Sequence, residues 1–388
     1  MTKSFSIIPH PHEPSSILTT LTVTALTVST AAILQFYFGT SRRTATSHKQ
    51  KIMSNTTTDF IQYPEGTVTT PLVNRRNQKL HTLHVKNNTS TKSSTKAPPT
   101  KIFFVHGVGD HSGRPCYTRL YEFLVQQQQP QQQPYEVFAL DLSSHGQSEG
   151  DPRCYCDQIT DFVHDYMDLI QAHYDPAVDS PIYLIGHSMG GLVASLAAAE
   201  FPQDQLQGLI LSAPATGVEM DLVMKVQKFF GPLLTCVAPQ AQLVNAVRVE
   251  DLSRDVQELE LYQKDPLIFQ GKLRVRVGTE LDDGFTLLKT KRSNITCPLL
   301  VLHGSADQAT EPKASKDFFQ HVGSTHKLYV DLQGYYHELF NEPDRDNFMK
   351  VMSDFLQVTT SHKEEEDGSK FSKFLEGYSV KEDGILQL

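Results

Sequence analysis

The sequence predicts an α/β protein built on a mostly parallel sheet with helices on both faces. Two observations carry this. Short apolar runs at 101–105, 136–140, 182–185, 208–211, 298–302 and 327–330 alternate with segments of helical period, the order that produces βαβ units. The run at 182–185 leads straight into Gly186-His187-Ser188-Met189-Gly190-Gly191 and then into Ala194, Ala197, Ala198 and Ala199, which reads as strand, tight turn and helix. At 388 residues the chain can bury one large core or two modest ones.

Composition narrows the function classes. Thirty-five basic against 44 acidic residues leave a net charge of −9, so there is no basic footprint for nucleic acid and no steering toward anionic lipid. Any membrane contact has to be apolar. The five cysteines (Cys116, Cys154, Cys156, Cys236 and Cys297) are odd in number and lack metal-ligand spacing, so they read as reduced thiols in a cytosolic setting rather than a disulfide framework.

Residues 1–59 form an N-terminal apolar segment and linker. No charged residue lies between Ile17 and Phe38, a stretch about long enough to span a hydrocarbon core. Thr19, Thr20, Thr22, Thr24 and Thr27 weaken it, so a membrane anchor, a cleaved targeting segment and an unprocessed disordered or buried segment all stand as readings. Arg42, Arg43, Lys49 and Lys51 follow it, which places the body of an anchored protein on the cytoplasmic side, with the endoplasmic reticulum or a lipid droplet as suitable hosts. Sequons begin at Asn55, Asn87, Asn88 and Asn294 and matter only on a lumenal face.

The core is expected over 60–213 and 291–358. Residues 80–85 alternate as a strand, and 87–99 read as a Ser/Thr/Asn/Lys-rich loop. The strand at 101–105 ends in His106-Gly107-Val108-Gly109-Asp110-His111 and is followed by a helix at 117–125 and a glutamine tract, 126–133, broken by Pro130. The strand at 136–140 ends in the loop 141–150, and a helix follows at 159–174. Residues 214–290 break the alternation. Met220, Val223, Met224, Val226, Phe229, Phe230, Leu233 and Leu234 are too apolar for a one-sided surface helix, so the segment reads as a cap or lid, or as a piece packed on the sheet. Strands at 298–302 and 327–330 then alternate with helices from 313 and near 344–356. Residues 359–388, with Lys363-Glu364-Glu365-Glu366-Asp367, read as an acidic flexible tail.

A serine hydroxyl becomes a nucleophile when a base takes its proton, and the base needs a carboxylate to fix its tautomer. Ser188 sits where an elbow would push its hydroxyl out of the sheet, with Gly186 and Gly190 removing side chains that would collide. The loop after 298–302 carries Asp307, and the loop after 327–330 carries His337. Loops at the carboxyl ends of parallel strands share one edge, so Ser188, Asp307 and His337 can converge as nucleophile, acid and base. The backbone N–H groups of Val108 and Met189 are the candidate oxyanion donors. His106, His187 and His303 compete for the base role, and His326-x4-Asp331 has the spacing of an acyltransferase motif, although it lies along a predicted strand.

The motifs F-F-V-H-G-V-G-D-H-S-G-R (103–114), D-L-x-x-H-G-x-S-E-G (141–150), G-H-S-M-G-G (186–191), L-S-R-D (252–255), L-H-G-S-A-D (302–307) and Y-H-E-L-F-N-E-P (336–343) resemble those of monoacylglycerol lipases in the α/β-hydrolase superfamily, close to its serine-aminopeptidase-like branch. The resemblance covers about residues 60–358. It implies an eight-stranded core, a cap after the sixth strand that docks on membranes, no cofactor or metal, and a lipid substrate. It also implies that Asp110 and Arg114 bind glycerol hydroxyls. The implied reaction is hydrolysis of monoacylglycerol to fatty acid and glycerol. A lysophospholipase, carboxylesterase or acyltransferase using the same triad is the alternative, and a silent lipid-binding fold is the remote one. One departure concerns geometry: Ser143-Ser144 stand where the family usually has Arg-Gly, so Ser144 inherits any turn that needs a positive φ.

Overall fold

The computed structural model describes residues 61, 63–87, 98–126, 134–218, 231, 233–244, 248–360, 369–381 and 383–388. The apolar segment 17–38, most of the glutamine tract and of the 87–99 loop, the cap stretch 219–230 and the acidic run 363–367 lie outside these residues. Among the described residues, no helix is long and apolar enough to cross a membrane.

Among the described residues, nine strands form the main sheet in the order β1-β2-β4-β3-β5-β6-β9-β10-β11. They are β1 (Val68–Val73), β2 (Lys79–Val85), β3 (Thr100–Val105), β4 (Tyr135–Leu140), β5 (Ile182–His187), β6 (Leu206–Ser212), β9 (Leu299–Gly304), β10 (Lys327–Leu332) and β11 (Ile385–Gln387). The pairs β1–β2 and β2–β4 are antiparallel, and the rest of the sheet is parallel. β7 (Gln242–Val244) and β8 (Leu273–Arg274) make a separate antiparallel pair within the cap.

The central strands are apolar throughout because both faces of the sheet are covered. Side chains alternate across a strand, so each run divides between two cores. Phe103, Val105, Leu184, Leu209 and Val301 join one core, which is completed by α2 (Ile159–His173) and α3 (Met189–Glu200). Ile102, Phe104, Tyr183, Ile185, Ile210 and Leu300 join the other, beneath α1 (Pro115–Gln126) and, late in the chain, α7 (Asp346–Thr360). The cap contributes α4 (Val256–Lys264), α5 (Val275–Lys291) follows it, and α6 (Pro312–His321) follows β9.

Two expectations are corrected. The cap does not extend to residue 290. Val277 and Leu288 of α5 are buried, and Gly284 lies so close to α3 and α2 that an added Cβ would stand 2.9 Å from Leu192 and 3.1 Å from Ile159. The lid-like portion therefore ends near 274. Nor is the described part of 359–388 a flexible tail. α7 continues to Thr360, and α8 (Ser369–Gly377) buries Phe371 beside Phe355 of α7. β11 pairs with β10 as the ninth strand, with Val330 opposite Leu386, and the Gln333 N–H donates to the Leu388 carbonyl at 2.8 Å. The acidic run masked an amphipathic signal, since Phe371, Phe374, Leu375 and Tyr378 follow the i, i+3, i+4, i+7 pattern.

Removing residues 380–388 strips Leu386 from the core and leaves β10 as an open edge. A stability loss of about 2–3 kcal/mol is expected from one buried leucine and the lost ladder bonds. The urea midpoint of the shortened chain tests this, and an unchanged midpoint would show that β11 contributes nothing.

Candidate active site

β5 ends at His187, α3 begins at Met189, and Ser188 between them has φ 56° and ψ −122°. A non-glycine residue at positive φ is strained and persists only where its surroundings enforce it. Here the enforcement is backbone contact. A Cβ on Gly186 would lie 2.2 Å from the Gly190 carbonyl oxygen, and one on Gly190 would lie 2.2 Å from the Val105 oxygen. The Ser188 N–H donates to the Ser212 carbonyl at the end of β6, and the Ser188 carbonyl accepts from Ala215.

The three triad residues read from the sequence meet at this edge. His337 Nε2 lies 3.0 Å from Ser188 Oγ, and its Nδ1 lies 2.8 Å from Asp307 Oδ2. All three side chains are buried. Asp307 Oδ2 also accepts from the Thr310 hydroxyl at 2.8 Å and faces His303 Nε2 at 3.2 Å, while Oδ1 accepts from the N–H groups of Ala309 and Thr310. Burial alone would raise the Asp307 pKa, yet the charge on His337 and the bonds from His303 and His337 hold it far below the usual carboxylate range. The pKa of His337 moves up: burial opposes its charged form, but Asp307 beside it, with Glu338 and Asp110 further off, outweighs burial.

The competing histidines have structural partners. His106 is fully buried, with Nδ1 2.7 Å from the Gly107 carbonyl and Nε2 accepting from the Leu142 N–H. His303 reaches Ser315 through Nδ1 at 2.7 Å. His187 packs on the His337 ring at 4.9 Å, and burial, then His337, pushes its pKa down to about 3, so it is neutral at ordinary pH. His326 and Asp331 do not form a dyad: they stand at opposite ends of β10, and Asp331 pairs with Lys316 at 2.8 Å.

The loop after β3 comes to the same point. A Cβ on Gly107 would lie 3.5 Å from Ser188 Oγ, so the loop that carries Val108 passes the serine, and Met189 follows Ser188 at the first turn of α3. A helix N-terminus presents unpaired N–H groups and a positive dipole end to any developing negative charge. Asp141 holds this loop from below, accepting from the Ser112 N–H at 2.7 Å and the Ser112 hydroxyl at 2.6 Å.

Asp110 and Arg114 are also brought here, but already engaged. Arg114 Nη1 and Nη2 donate to Glu338 Oε1 and Oε2 at 2.6 and 2.9 Å, and Nη1 donates to Asp110 Oδ2 at 3.1 Å. Sequence reasoning missed Glu338 as a site residue although it directly follows His337. Its partner is 224 positions away, so no local pattern announces the pair.

Residues 248–274 of the cap are tied to both loops. The Phe269 N–H donates to the Gly109 carbonyl and the Glu338 N–H to the Leu252 carbonyl, each at 2.7 Å. Asp265 pairs with buried His111 at 2.9 Å, and the Tyr262 ring lies 4.9 Å from the Arg114 guanidinium.

Ser144 has φ 64°, the glycine-type conformation anticipated for it. Its hydroxyl offsets the strain by donating to the Tyr155 carbonyl at 2.6 Å and accepting from the Tyr155 N–H at 2.8 Å. Beside it, the Ser143 hydroxyl accepts from Arg76 at 3.0 Å, so a guanidinium still reaches the place of the missing arginine, from the β1–β2 turn.

Residues 96–344 match the family described as serine aminopeptidase, S33. The chain is similar to the monoglyceride lipase of Rattus norvegicus, with 32% identity over 245 residues, 63% of this chain and 77% of that one. It is 29% identical to phospholipase YtpA of Bacillus subtilis, over 66% of this chain and 95% of that one. The solved monoacylglycerol lipase of Paleococcus ferrophilus superposes with a TM-score of 0.59 over 72% of this chain and 99% of its own, and at 24% identity it speaks to the fold alone.

Gly190→Ala would force a methyl group into the Val105 and His106 carbonyls, both backbone atoms that cannot swing away. The expected result is a loss of about 2–3 kcal/mol or more in chemical denaturation, together with most of the esterase activity. An alanine variant of wild-type stability and rate would show that the elbow tolerates a side chain.

Proposed function

For a chain that belongs to the serine aminopeptidase, S33 family and is a serine ester hydrolase, we propose that the reaction is hydrolysis of monoacylglycerol to fatty acid and glycerol, with Ser188 as nucleophile, His337 as base and Asp307 as its orienting acid. The observation that carries the reading is the unbroken run Ser188 Oγ, His337 and Asp307, with contacts of 3.0 and 2.8 Å. The monoglyceride lipase relative supports the substrate.

His337 takes the Ser188 proton as Oγ attacks the ester carbonyl carbon. The carbonyl π pair moves to oxygen, and the N–H groups of Val108 and Met189 bind the resulting oxyanion. As the carbonyl re-forms, the bond to the glycerol oxygen breaks, and His337 returns its proton to that oxygen. Water then attacks the acyl-enzyme with His337 again as base, releasing fatty acid and Ser188. Asp307, held as a carboxylate by its donors, keeps the imidazole in one tautomer and stabilises its charged form. Asp110, in the loop after β3, and Arg114, at the start of α1, stand on the glycerol side. Because such an ester is sparingly soluble, the enzyme meets it at a membrane or lipid-droplet surface, with the catalytic body on the cytoplasmic side.

Fatty-acid release from 2-monoacylglycerol, triacylglycerol, lysophosphatidylcholine and a short aryl ester, with Ser188→Ala alongside, tests the assignment. Monoacylglycerol should be preferred, and the alanine variant should retain only the rate of a site without its triad. Hydrolysis unaffected by Ser188→Ala would end the proposal. Asp307→Asn should lower kcat by about 10⁴.

The pH profile follows from the same contacts. The base acts when neutral and its pKa is raised, so kcat/KM should fall toward acid with a midpoint above 6.5. Asp307→Asn removes the main cause of the rise and should move the residual activity's midpoint downward. A wild-type midpoint well below 6.5 would contradict the assigned pair.

A further inference from the structure

We propose that Glu338 is a specificity-determining residue: with Asp110 it outweighs the charge of Arg114 and makes the leaving-group side of His337 accept neutral, hydroxyl-bearing alcohols and reject those carrying phosphate. This rests on the acyl-ester hydrolysis described above and concerns only the alcohol half of the substrate.

A buried arginine beside a catalytic histidine would ordinarily invite phosphate, because its planar fork matches two phosphate oxygens. Arg114 is only 3% exposed, and that fork is already occupied by both oxygens of Glu338. Asp110 takes a further bond from Nη1. The Tyr262 ring lies 4.9 Å from the guanidinium, and the Tyr117 ring 5.7 Å.

Both carboxylates are fixed in place. Asn341 Nδ2 donates to Glu338 Oε2 at 2.5 Å, and the Tyr117 hydroxyl donates to Asp110 Oδ2 at 2.7 Å. The His111 N–H donates to Asp110 Oδ1 at 2.8 Å. Burial would raise the Glu338 pKa, yet Arg114 holds it below the ordinary value, so Glu338 is charged at working pH. One guanidinium thus faces two carboxylates, and the cluster is net negative.

Its position gives that charge a consequence. Glu338 is the residue after His337, and Arg114 bridges it to Asp110 in the loop that passes Ser188. The departing alcohol oxygen receives its proton from His337, so the alcohol's substituents lie in the field of this cluster. Hydroxyls can donate to carboxylate oxygens there. A phosphate meets the charge of two carboxylates that are themselves buried, where repulsion is poorly screened.

The test is the ratio of kcat/KM for 1-oleoylglycerol to that for 1-oleoyl lysophosphatidic acid, with lysophosphatidylcholine as a phosphodiester arm. The full chain is assayed in mixed micelles of fixed neutral detergent, with a short aryl acetate reporting acyl transfer independently of a polyol leaving group. The wild type should favour the glycerol ester. Glu338→Gln removes one negative charge and should move the ratio toward the phosphate ester by about tenfold or more. Asp110→Asn removes a charge from the other side of Arg114 and should move the ratio the same way, so the prediction survives if Glu338→Gln fails to fold. Glu338→Asp keeps the charge and should keep the wild-type ratio. A preference unmoved by both charge-removing variants, or moved equally by Glu338→Asp, overturns the proposal. Aryl ester hydrolysis that survives Ser188→Ala would instead overturn the underlying reaction.

Discussion

The site depends on how closely the backbone approaches itself at residues 186–190. Gly186 faces the Gly190 carbonyl, and Gly190 faces the carbonyls of Val105 and His106, at separations that leave no room for a Cβ. The chain can turn from β5 into α3 only by rotating Ser188 to a φ of 56°. The same contact fixes the end of β3, so the loop that follows β3 has to run beside the Ser188 hydroxyl. One steric constraint therefore sets both the serine and the backbone N–H groups nearest to it.

Around that point, burial makes electrostatic pairing obligatory. A charged group removed from water costs several kcal/mol unless partners replace its hydration. Asp307 meets this with donors from Ala309, Thr310, His303 and His337, and Asp141 meets it with Ser112 and Gln147. Arg114 joins the start of α1 to the loop after β3 and to the loop after β10, while the Tyr262 ring of α4 lies beside its guanidinium. Together with the Phe269–Gly109 and Glu338–Leu252 backbone bonds, these contacts tie residues 248–274 to both loops of the site.

The departures from the usual motif show how the fold absorbs change. A serine at positive φ in the 141–150 loop is held by two bonds to Tyr155, and Arg76 supplies from another hairpin the guanidinium that residue 143 lacks. The carboxyl terminus extends the sheet in the same spirit. β11 covers the edge of β10, the strand that leads to His337, so the histidine loop emerges from an interior strand.

The chain's order of apolar runs, glycines and small residues determined the parallel sheet, its two covered faces, the elbow and the convergence of Ser188, Asp307 and His337. Each is a local or topological consequence: a strand length, a turn that admits only glycine, a shared carboxyl edge. Ser144 was legible too, because positive φ is a property of one residue's backbone. The late helix and ninth strand were obscured by a charged run that dominated the local composition, although the helical period was present. Glu338 was beyond local reading. Its role depends on Arg114, and two residues 224 positions apart declare themselves a pair only when folding brings them together away from water, where an unpaired charge could not remain.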